Sequence, residues 1–191
     1  MRAAGGDWAD VAIWNRDGSL AEMSGNGTRI AARWLAERTG AERVEVRVGP
    51  RVVAARLLAG DLVEQDLGEA RVGAAAEVEG VRFTPVDVGN PHAVVEGDPA
   101  DLPRIGPLLE THPRFPQRTN VQVARRVGGG DIEARVWERG VGETASSGSS
   151  AVAVAAALDV SPATVHFPGG ELHVRIEGGR AYLTGPARRA G

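Results

Sequence analysis

Residues 138–150 read Glu-Arg-Gly-Val-Gly-Glu-Thr-Ala-Ser-Ser-Gly-Ser-Ser and connect a predicted strand at 132–138 to an almost wholly apolar predicted helix at 150–158. The glycines permit positive φ angles and a close approach of the backbone to a ligand. The first amides of a helix lack partners within the helix and carry a partial positive charge. The segment therefore predicts a carboxylate-binding helix N-terminus, with ordinary helix capping by Ser147 to Ser150 as the alternative.

The same order occurs near the start of the chain. A predicted strand at 11–15 precedes the loop Met23-Ser-Gly-Asn-Gly-Thr28, which leads into a predicted helix at 28–38. A shift of 123 residues aligns the two units without a gap, with six identities in 23 positions, including Ser24 on Ser147 and Gly25 on Gly148. This repeat predicts two similar units that face each other across a cleft, each presenting a helix N-terminus.

Short β-branched runs and alanine-rich helical segments alternate along the rest of the chain. The pattern predicts a hairpin over 44–58, a surface connection over 70–80, a helix over about 101–110 and three final strands between 164 and 184. Such alternation is typical of an α/β or α+β fold.

Two absences exclude whole classes of chemistry. All 22 basic residues are arginine, so no lysine can form a Schiff base with pyridoxal phosphate. The chain has no cysteine, which excludes disulfides, thiolate nucleophiles and thiolate metal sites. The four histidines lack metal-ligand spacing and no phosphate loop ends in Gly-Lys, so we expect neither a metal nor another cofactor.

The net charge and the hydropathy of the chain limit the kinds of partner that it is expected to bind. A net charge of −3 gives no electrostatic case for nucleic acid. No run approaches the roughly 20 apolar residues that span a bilayer, and the first residues contain no apolar core of a signal peptide. We expect a cytoplasmic protein that binds neither nucleic acid nor a membrane.

Four asparagines lie in or near the predicted loops: Asn15, Asn26, Asn90 and Asn120. A neutral amide both donates and accepts hydrogen bonds, which suits the zwitterion of an amino acid. These residues predict a small-molecule substrate of that class.

Five blocks along the chain resemble the ordered signature blocks of the diaminopimelate epimerase family. They are Asn15-Arg-Asp-Gly-Ser-Leu-Ala-Glu-Met-Ser-Gly-Asn-Gly-Thr-Arg29, Gly89-Asn-Pro-His-Ala93, His112-Pro-Arg-Phe-Pro-Gln-Arg-Thr-Asn-Val121, Glu138-Arg-Gly-Val-Gly-Glu-Thr144 and Pro168-Gly-Gly-Glu-Leu172. The resemblance extends from Asn15 to Pro186.

The resemblance implies an α+β fold of two pseudo-symmetric lobes, each a curved sheet wrapped around a central helix. Residues 1–82 would form the first lobe, joined by residues 183–191, and residues 83–182 the second. The implied reaction is the inversion of LL- to meso-diaminopimelate without a cofactor, in the biosynthesis of lysine and peptidoglycan precursors.

The resemblance also implies a set of site residues. The two catalytic positions of the family fall on Ser24 and Ser147, and its residues that tune the pKa of the catalytic thiols fall on His92 and Glu138. The implied substrate contacts are Asn15, Gly25, Asn26, Asn90, Asn120, Glu138, Arg139, Gly148 and Ser149.

The chain departs from the family pattern at both catalytic positions, where serine stands in place of cysteine. A thiol ionises near 8.5, and a serine hydroxyl ionises several units higher. The substitution therefore predicts retained substrate binding with weak or absent racemisation. The alternatives are a catalytically silent amino-acid-binding homologue and an epimerase or dehydratase of the proline racemase superfamily that uses serine.

A second departure is the short segment before Asn15, which has 14 residues. The family has further strands there, including a Gly-Asn-Asp loop that supplies a substrate asparagine. Their absence predicts an incomplete first lobe with an exposed sheet edge, which would favour a homodimer.

Overall fold

The computed structural model describes residues 3–14, 18, 20 and 24–188, and within them the chain forms three α-helices and fifteen strands. The helices are α1 (Gly25–Thr39), α2 (Leu102–Glu110) and α3 (Gly148–Ala157). The strands are β1 (Ala3–Ala4), β2 (Trp8–Val11), β3 (Arg43–Val48), β4 (Arg51–Leu57), β5 (Leu62–Glu69), β6 (Arg71–Val72), β7 (Ala76–Val78), β8 (Val81–Asp87), β9 (Pro91–Glu96), β10 (Asn120–Gly128), β11 (Asp131–Glu138), β12 (Gly142–Thr144), β13 (Ala163–Phe167), β14 (Gly170–Glu177) and β15 (Arg180–Pro186).

The described strands form one continuous sheet. Its order is β1-β2-β3-β4-β5-β15-β14-β13-β11-β10-β9-β8-β6, with β12 paired to β11 and β7 to β8. The last strand joins the two halves of the chain, because β15 pairs antiparallel with both β14 and β5, with Leu183 opposite Gln65. The sheet thus curves around two helices that come from different halves of the sequence.

Helix α1 begins after the N-cap Ser24 and ends at Gly40, whose φ of 73° is left-handed. The predicted stop at Gly40 is confirmed, since glycine adopts this conformation without a steric cost. The helix begins three residues earlier than the predicted 28–38. Its inner face buries Ala32, Leu35 and Ala36 against valines of β3 and β5.

Helix α3 is almost wholly apolar, and strands of the sheet surround it so that all of its sides are buried. Residues 148–155 are all buried, and the valines and alanines among them pack against strands of the second half. A helix that is hydrophobic all round belongs inside a core rather than on a surface. The third helix, α2, covers a separate cluster against β10 and the neighbouring strands.

Two further local predictions differ from the structure. The predicted strand at 11–15 lies earlier, as β2 at Trp8–Val11, and the predicted connection over 70–80 contains the short strands β6 and β7. Strands of two to four residues are too short to show an alternating pattern of apolar and polar residues. The division into two lobes, residues 1–82 with 183–191 and residues 83–182, stays a prediction.

No helix in the described part of the chain is long and apolar enough to cross a membrane.

Candidate active site

The N-termini of α1 and α3 meet at one point, where Gly25 touches Gly148. A Cβ on Gly148 would lie 3.1 Å from the Cα of Gly25 and 2.7 Å from Cδ2 of Leu183. A Cβ on Gly25 would lie 3.0 Å from the Cα of Gly148. Only glycine permits this approach, and it places the free amides and positive ends of two helices beside each other. Gly25 and Gly148 occupy equivalent positions in the two units of the internal repeat.

A cavity of about 160 Å³ opens at this junction. Its volume is below the range typical of drug-sized ligands and fits a small metabolite. The lining residues are Ile13, Trp14, Ser24, Gly25, Asn26, Asn90, Asn120, Glu138, Arg139, Val141, Ser147, Gly148 and Ser149. Ten of the twelve site residues named from the resemblance therefore lie around one cavity.

The other two named residues differ in kind. Asn15 lies outside the described residues. His92 does not line the cavity; it is buried behind it, 1% exposed, and its Nε2 lies 2.9 Å from Oδ1 of Asn90. Burial and, to a smaller extent, the nearby charge of Arg139 lower the pKa of His92 to about 3. His92 is therefore neutral at physiological pH.

The two serines occupy the same capping position but use their hydroxyls differently. Ser24 Oγ accepts a hydrogen bond from the backbone N–H of Gly27 at 3.0 Å. Ser147 has the same extended backbone before α3, yet its side chain makes no capping hydrogen bond. The capping alternative thus describes Ser24 and does not describe Ser147.

Glu138 is the acidic residue in the lining of this cavity, and Arg139 follows it. Burial raises the pKa of the Glu138 carboxyl, while a hydrogen bond donated by the Thr144 hydroxyl to Oε1 opposes the shift. A carboxylate with a raised pKa is better suited to accept a proton near neutral pH than an ordinary one. The cavity therefore combines an anionic and a cationic group with the two helix ends.

The amide of Asn120 is committed to local structure. Its Nδ2 donates to the carbonyl of Pro91 at 3.0 Å, and its Oδ1 accepts from the backbone N–H of Arg139 at 3.0 Å. Asn120 thereby holds the end of β11 against the start of β9. Through these two bonds Asn120 shapes the wall of the cavity.

Glu110 holds the end of β11 and the loop that follows it through two hydrogen bonds. The sequence did not predict this role. Oε1 of Glu110 accepts from the backbone N–H of Gly140 at 2.7 Å and its Oε2 accepts from Nε1 of Trp137 at 2.7 Å. The carboxyl is almost fully buried at the end of α2. The sequence carried one signal for it, a glutamate at the last position of a predicted helix, where a charge is unfavourable to the helix dipole.

Arg29 is a second residue that the sequence analysis missed. Its guanidinium donates to the carbonyl of Pro186 at 2.9 Å and to Oδ1 of Asn26 at 2.9 Å, and Asn26 in turn donates to the carbonyl of Ser146 at 3.4 Å. Burial lowers the pKa of Arg29. This chain of bonds fixes the side chain of Asn26 across the junction between the two helices.

Acidification is expected to destabilise the protein through His92. Because the folded pKa is about 3 and the ordinary value is 6.5, the unfolded chain takes up a proton at a pH where the folded chain does not. Between these values His92 lowers the free energy of unfolding by about 1.4 kcal/mol for each pH unit of acidification. Urea unfolding at a series of pH values measures this slope. The His92→Gln variant should lose most of it, and an unchanged slope would assign the acid sensitivity to other groups.

No group of three or more histidine, aspartate or glutamate side chains within the described residues could hold a metal ion. The chemistry available in this cavity is that of hydroxyls, amides, one carboxylate, one guanidinium and helix N-termini.

Comparisons with solved structures agree with this architecture. A protein from Pseudomonas aeruginosa that is described as a predicted epimerase superimposes with a TM-score of 0.74 and 19% identity, over 97% of this chain and 78% of that one. A hydroxyproline epimerase from Agrobacterium vitis with bound trans-4-hydroxy-L-proline superimposes with a TM-score of 0.70 and 18% identity, over 93% and 67%. At these identities the likeness establishes the fold, and it confirms the predicted class.

Comparisons of sequence establish the family. The diaminopimelate epimerase model matches residues 84–190. The diaminopimelate epimerase of Pelotomaculum thermopropionicum is 38% identical over 94% of this chain and 76% of that protein. The diaminopimelate epimerase of Thermobifida fusca is 42% identical over 91% and 68%. With this identity over most of its length, the chain belongs to the diaminopimelate epimerase family.

Proposed function

We propose that this chain binds a diaminopimelate-type amino acid between α1 and α3, and that it inverts the α-carbon only slowly in its Ser24/Ser147 form. The observation that carries the proposal is the meeting of two helix N-termini at Gly25 and Gly148 in a cavity with one carboxylate and one guanidinium. As part of the same proposal, the reaction belongs to lysine and peptidoglycan precursor biosynthesis in the cytoplasm.

The reacting end of the substrate would lie at the helix junction. The unpaired amides of the first turn of each helix favour a carboxylate, and they also stabilise the negative charge that develops when the α-proton leaves. The Ser24 and Ser147 hydroxyls precede the two helices and would approach opposite faces of the α-carbon. One hydroxyl would first lose its proton to solvent, which is unfavourable near neutral pH and makes the inversion slow. The resulting alkoxide would accept the α-proton, while the other hydroxyl donates its proton to the opposite face of the carbon.

The distal end of the substrate would lie near Glu138, Arg139 and Asn90. A carboxylate and a guanidinium in one half-buried place complement the ammonium and carboxylate of a second amino-acid end. Asn90 adds an amide at the same wall of the cavity. This complementarity supports a substrate with two zwitterionic ends over a simple α-amino acid.

Binding without catalysis is the second candidate function, and the Ser24 hydroxyl favours it. Its oxygen already accepts the N–H of Gly27, and this bond makes Oγ a weaker base towards the α-proton. In this case the cavity would retain the amino acid but exchange no α-proton.

Calorimetric titration combined with deuterium exchange tests the proposal. We expect saturable binding of LL- or meso-diaminopimelate, and binding of L-lysine that is weaker by about tenfold or more because its distal carboxylate is missing. Deuterium incorporation at the α-carbon in D₂O separates slow inversion from binding alone. Preference for trans-4-hydroxy-L-proline would instead favour a serine-dependent reaction of the proline racemase superfamily.

Two arginine variants provide the control for this titration. Arg139→Met should weaken diaminopimelate binding and leave L-lysine binding nearly unchanged. Arg125→Met removes an arginine that pairs with Glu133 on the exposed face of the sheet, at an Nη2 to Oε2 distance of 2.6 Å, and should change neither. Absence of saturable binding of both diaminopimelate isomers would overturn the proposed function.

A further inference from the structure

A buried hydrogen-bond chain leads from the N-terminus of α3 to the cavity wall. Gln122 Nε2 lies 3.0 Å from Oγ of Ser150 and 3.0 Å from Nδ1 of His92. His92 Nε2 lies 2.9 Å from Oδ1 of Asn90, which lines the cavity. Gln122 and Ser150 are fully buried. The four side chains thus connect the core beneath α3 to one amide at the candidate site.

The donor and acceptor roles along this chain follow from Gln122. Its Nε2 carries only donors, so His92 Nδ1 must accept. The ring is neutral because burial holds the pKa of His92 at about 3, and its one proton therefore resides on Nε2. That N–H donates to Oδ1 of Asn90, which leaves the Nδ2 donors of Asn90 for the cavity.

The same four side chains can also form a hydrogen-bond chain in which every donor and acceptor role is reversed. If the amide of Gln122 turned, its Oε1 would accept from Ser150 and from a proton on Nδ1 of His92. His92 Nε2 would then accept from Asn90, whose Oδ1 would face the cavity. In the observed arrangement the Oε1 of Gln122 is buried without a partner among the described residues. The turned amide would instead bury an unpaired NH₂ group, and an orphaned N–H is rarer in proteins than an under-satisfied carbonyl oxygen.

We propose that Gln122 is a positioning residue that acts through His92 to make Asn90 present a hydrogen-bond donor to a carboxylate in the cavity. The identity of that carboxylate, as part of a diaminopimelate-type ligand, rests on the proposed function. The polarity of the hydrogen-bond chain does not rest on it. His92 is then a relay of orientation and has no direct part in proton transfer.

Nitrogen-15 NMR of the histidine side chains tests the polarity in the free protein. In the wild-type chain at neutral pH we expect His92 Nδ1 to resonate as an unprotonated nitrogen and Nε2 as a protonated one. A protonated Nδ1 in the wild-type chain would overturn the proposal without any variant. This measurement uses no ligand, so it stands even if diaminopimelate does not bind.

Two variants of Gln122 then test the consequence for binding. Gln122→Glu replaces the donor by an acceptor, and we expect Nδ1 of His92 to become protonated and diaminopimelate affinity to fall by about tenfold or more. Gln122→Met keeps the length of the side chain without a donor or a charge, and it should leave the His92 tautomer mixed with a smaller loss of affinity. An unchanged tautomer and affinity in both variants would overturn the proposal. A tautomer switch in a chain that binds no diaminopimelate would overturn the proposed function alone.

Discussion

Replacing both Ser24 and Ser147 with cysteine is expected to raise the rate of α-proton exchange on meso-diaminopimelate by about a hundred- to a thousandfold, because each pKa unit between hydroxyl and thiol corresponds to about 1.4 kcal/mol. A thiol ionises near 8.5, and a helix N-terminus lowers that value further. Both positions precede a helix N-terminus. Deuterium incorporation followed by mass spectrometry measures the rate.

The two single variants should differ in stability. Ser24→Cys weakens the hydrogen bond from the N–H of Gly27, and loss of an N-cap typically costs about 0.5–2 kcal/mol. Ser147 makes no such bond, so Ser147→Cys should fold with almost unchanged stability. Each single thiol should invert the α-carbon more slowly than the pair, since inversion needs a group on both faces of the carbon.

Ser146→Cys is the matched control for the double variant. It places a thiol one residue before Ser147, outside the set of residues that line the cavity. Exchange in the double variant that is no faster than in this control would mean that positions 24 and 147 do not reach the α-carbon.

Gly148→Ala is expected to destabilise the fold and to open the site at the same time. The new methyl group would lie 2.7 Å from Cδ2 of Leu183 and 3.1 Å from the Cα of Gly25, and the backbone of α1 cannot yield as a flexible side chain can. Overpacking of this kind costs about 1–3 kcal/mol. Separation of α1 from α3 would also disperse the amides that we propose to bind the carboxylate. We therefore expect diaminopimelate affinity to fall by about tenfold or more.

Gly97→Ala is the control for this glycine. Its methyl group would meet only Cγ1 of Val123, at an ordinary 3.9 Å, so stability and affinity should stay near those of the wild-type chain. Urea unfolding and calorimetric titration of both variants give the two readouts. Equal stability and affinity for Gly148→Ala and Gly97→Ala would contradict the close contact of the two helices.

Much of the fold was predictable because its signals are local. Gly40 ends α1 as predicted, and the hairpin of β3 and β4 follows the alternation of buried and exposed residues over 44–57. The position of β2 was not predictable, since it pairs in parallel with β3, more than 30 residues later in the chain. Parallel pairing leaves no turn signal in the sequence between the partners.

The environment of His92 shows the limit of the site prediction. The family resemblance named His92, yet nothing in the chain placed Gln122 beside it. The two come together because β9 pairs in parallel with β10, with His92 opposite Asn120. Both strands are buried on both faces along most of this pairing, so the alternation that would reveal an inward-facing residue is missing.

By itself, the sequence determined the chemistry that this protein has available. It showed the repeat with Gly25 and Gly148 at equivalent positions, the absence of lysine and cysteine, and serine at positions 24 and 147, which the resemblance assigns to the catalytic pair. The tertiary structure alone decided that the two glycines touch, that the Ser24 side chain caps its helix while that of Ser147 does not, and that Gln122 lies beside His92. Residue types and local patterns can be read directly from the sequence. These contacts, by contrast, depend on the register between strands and on the packing of two helices that are more than a hundred residues apart.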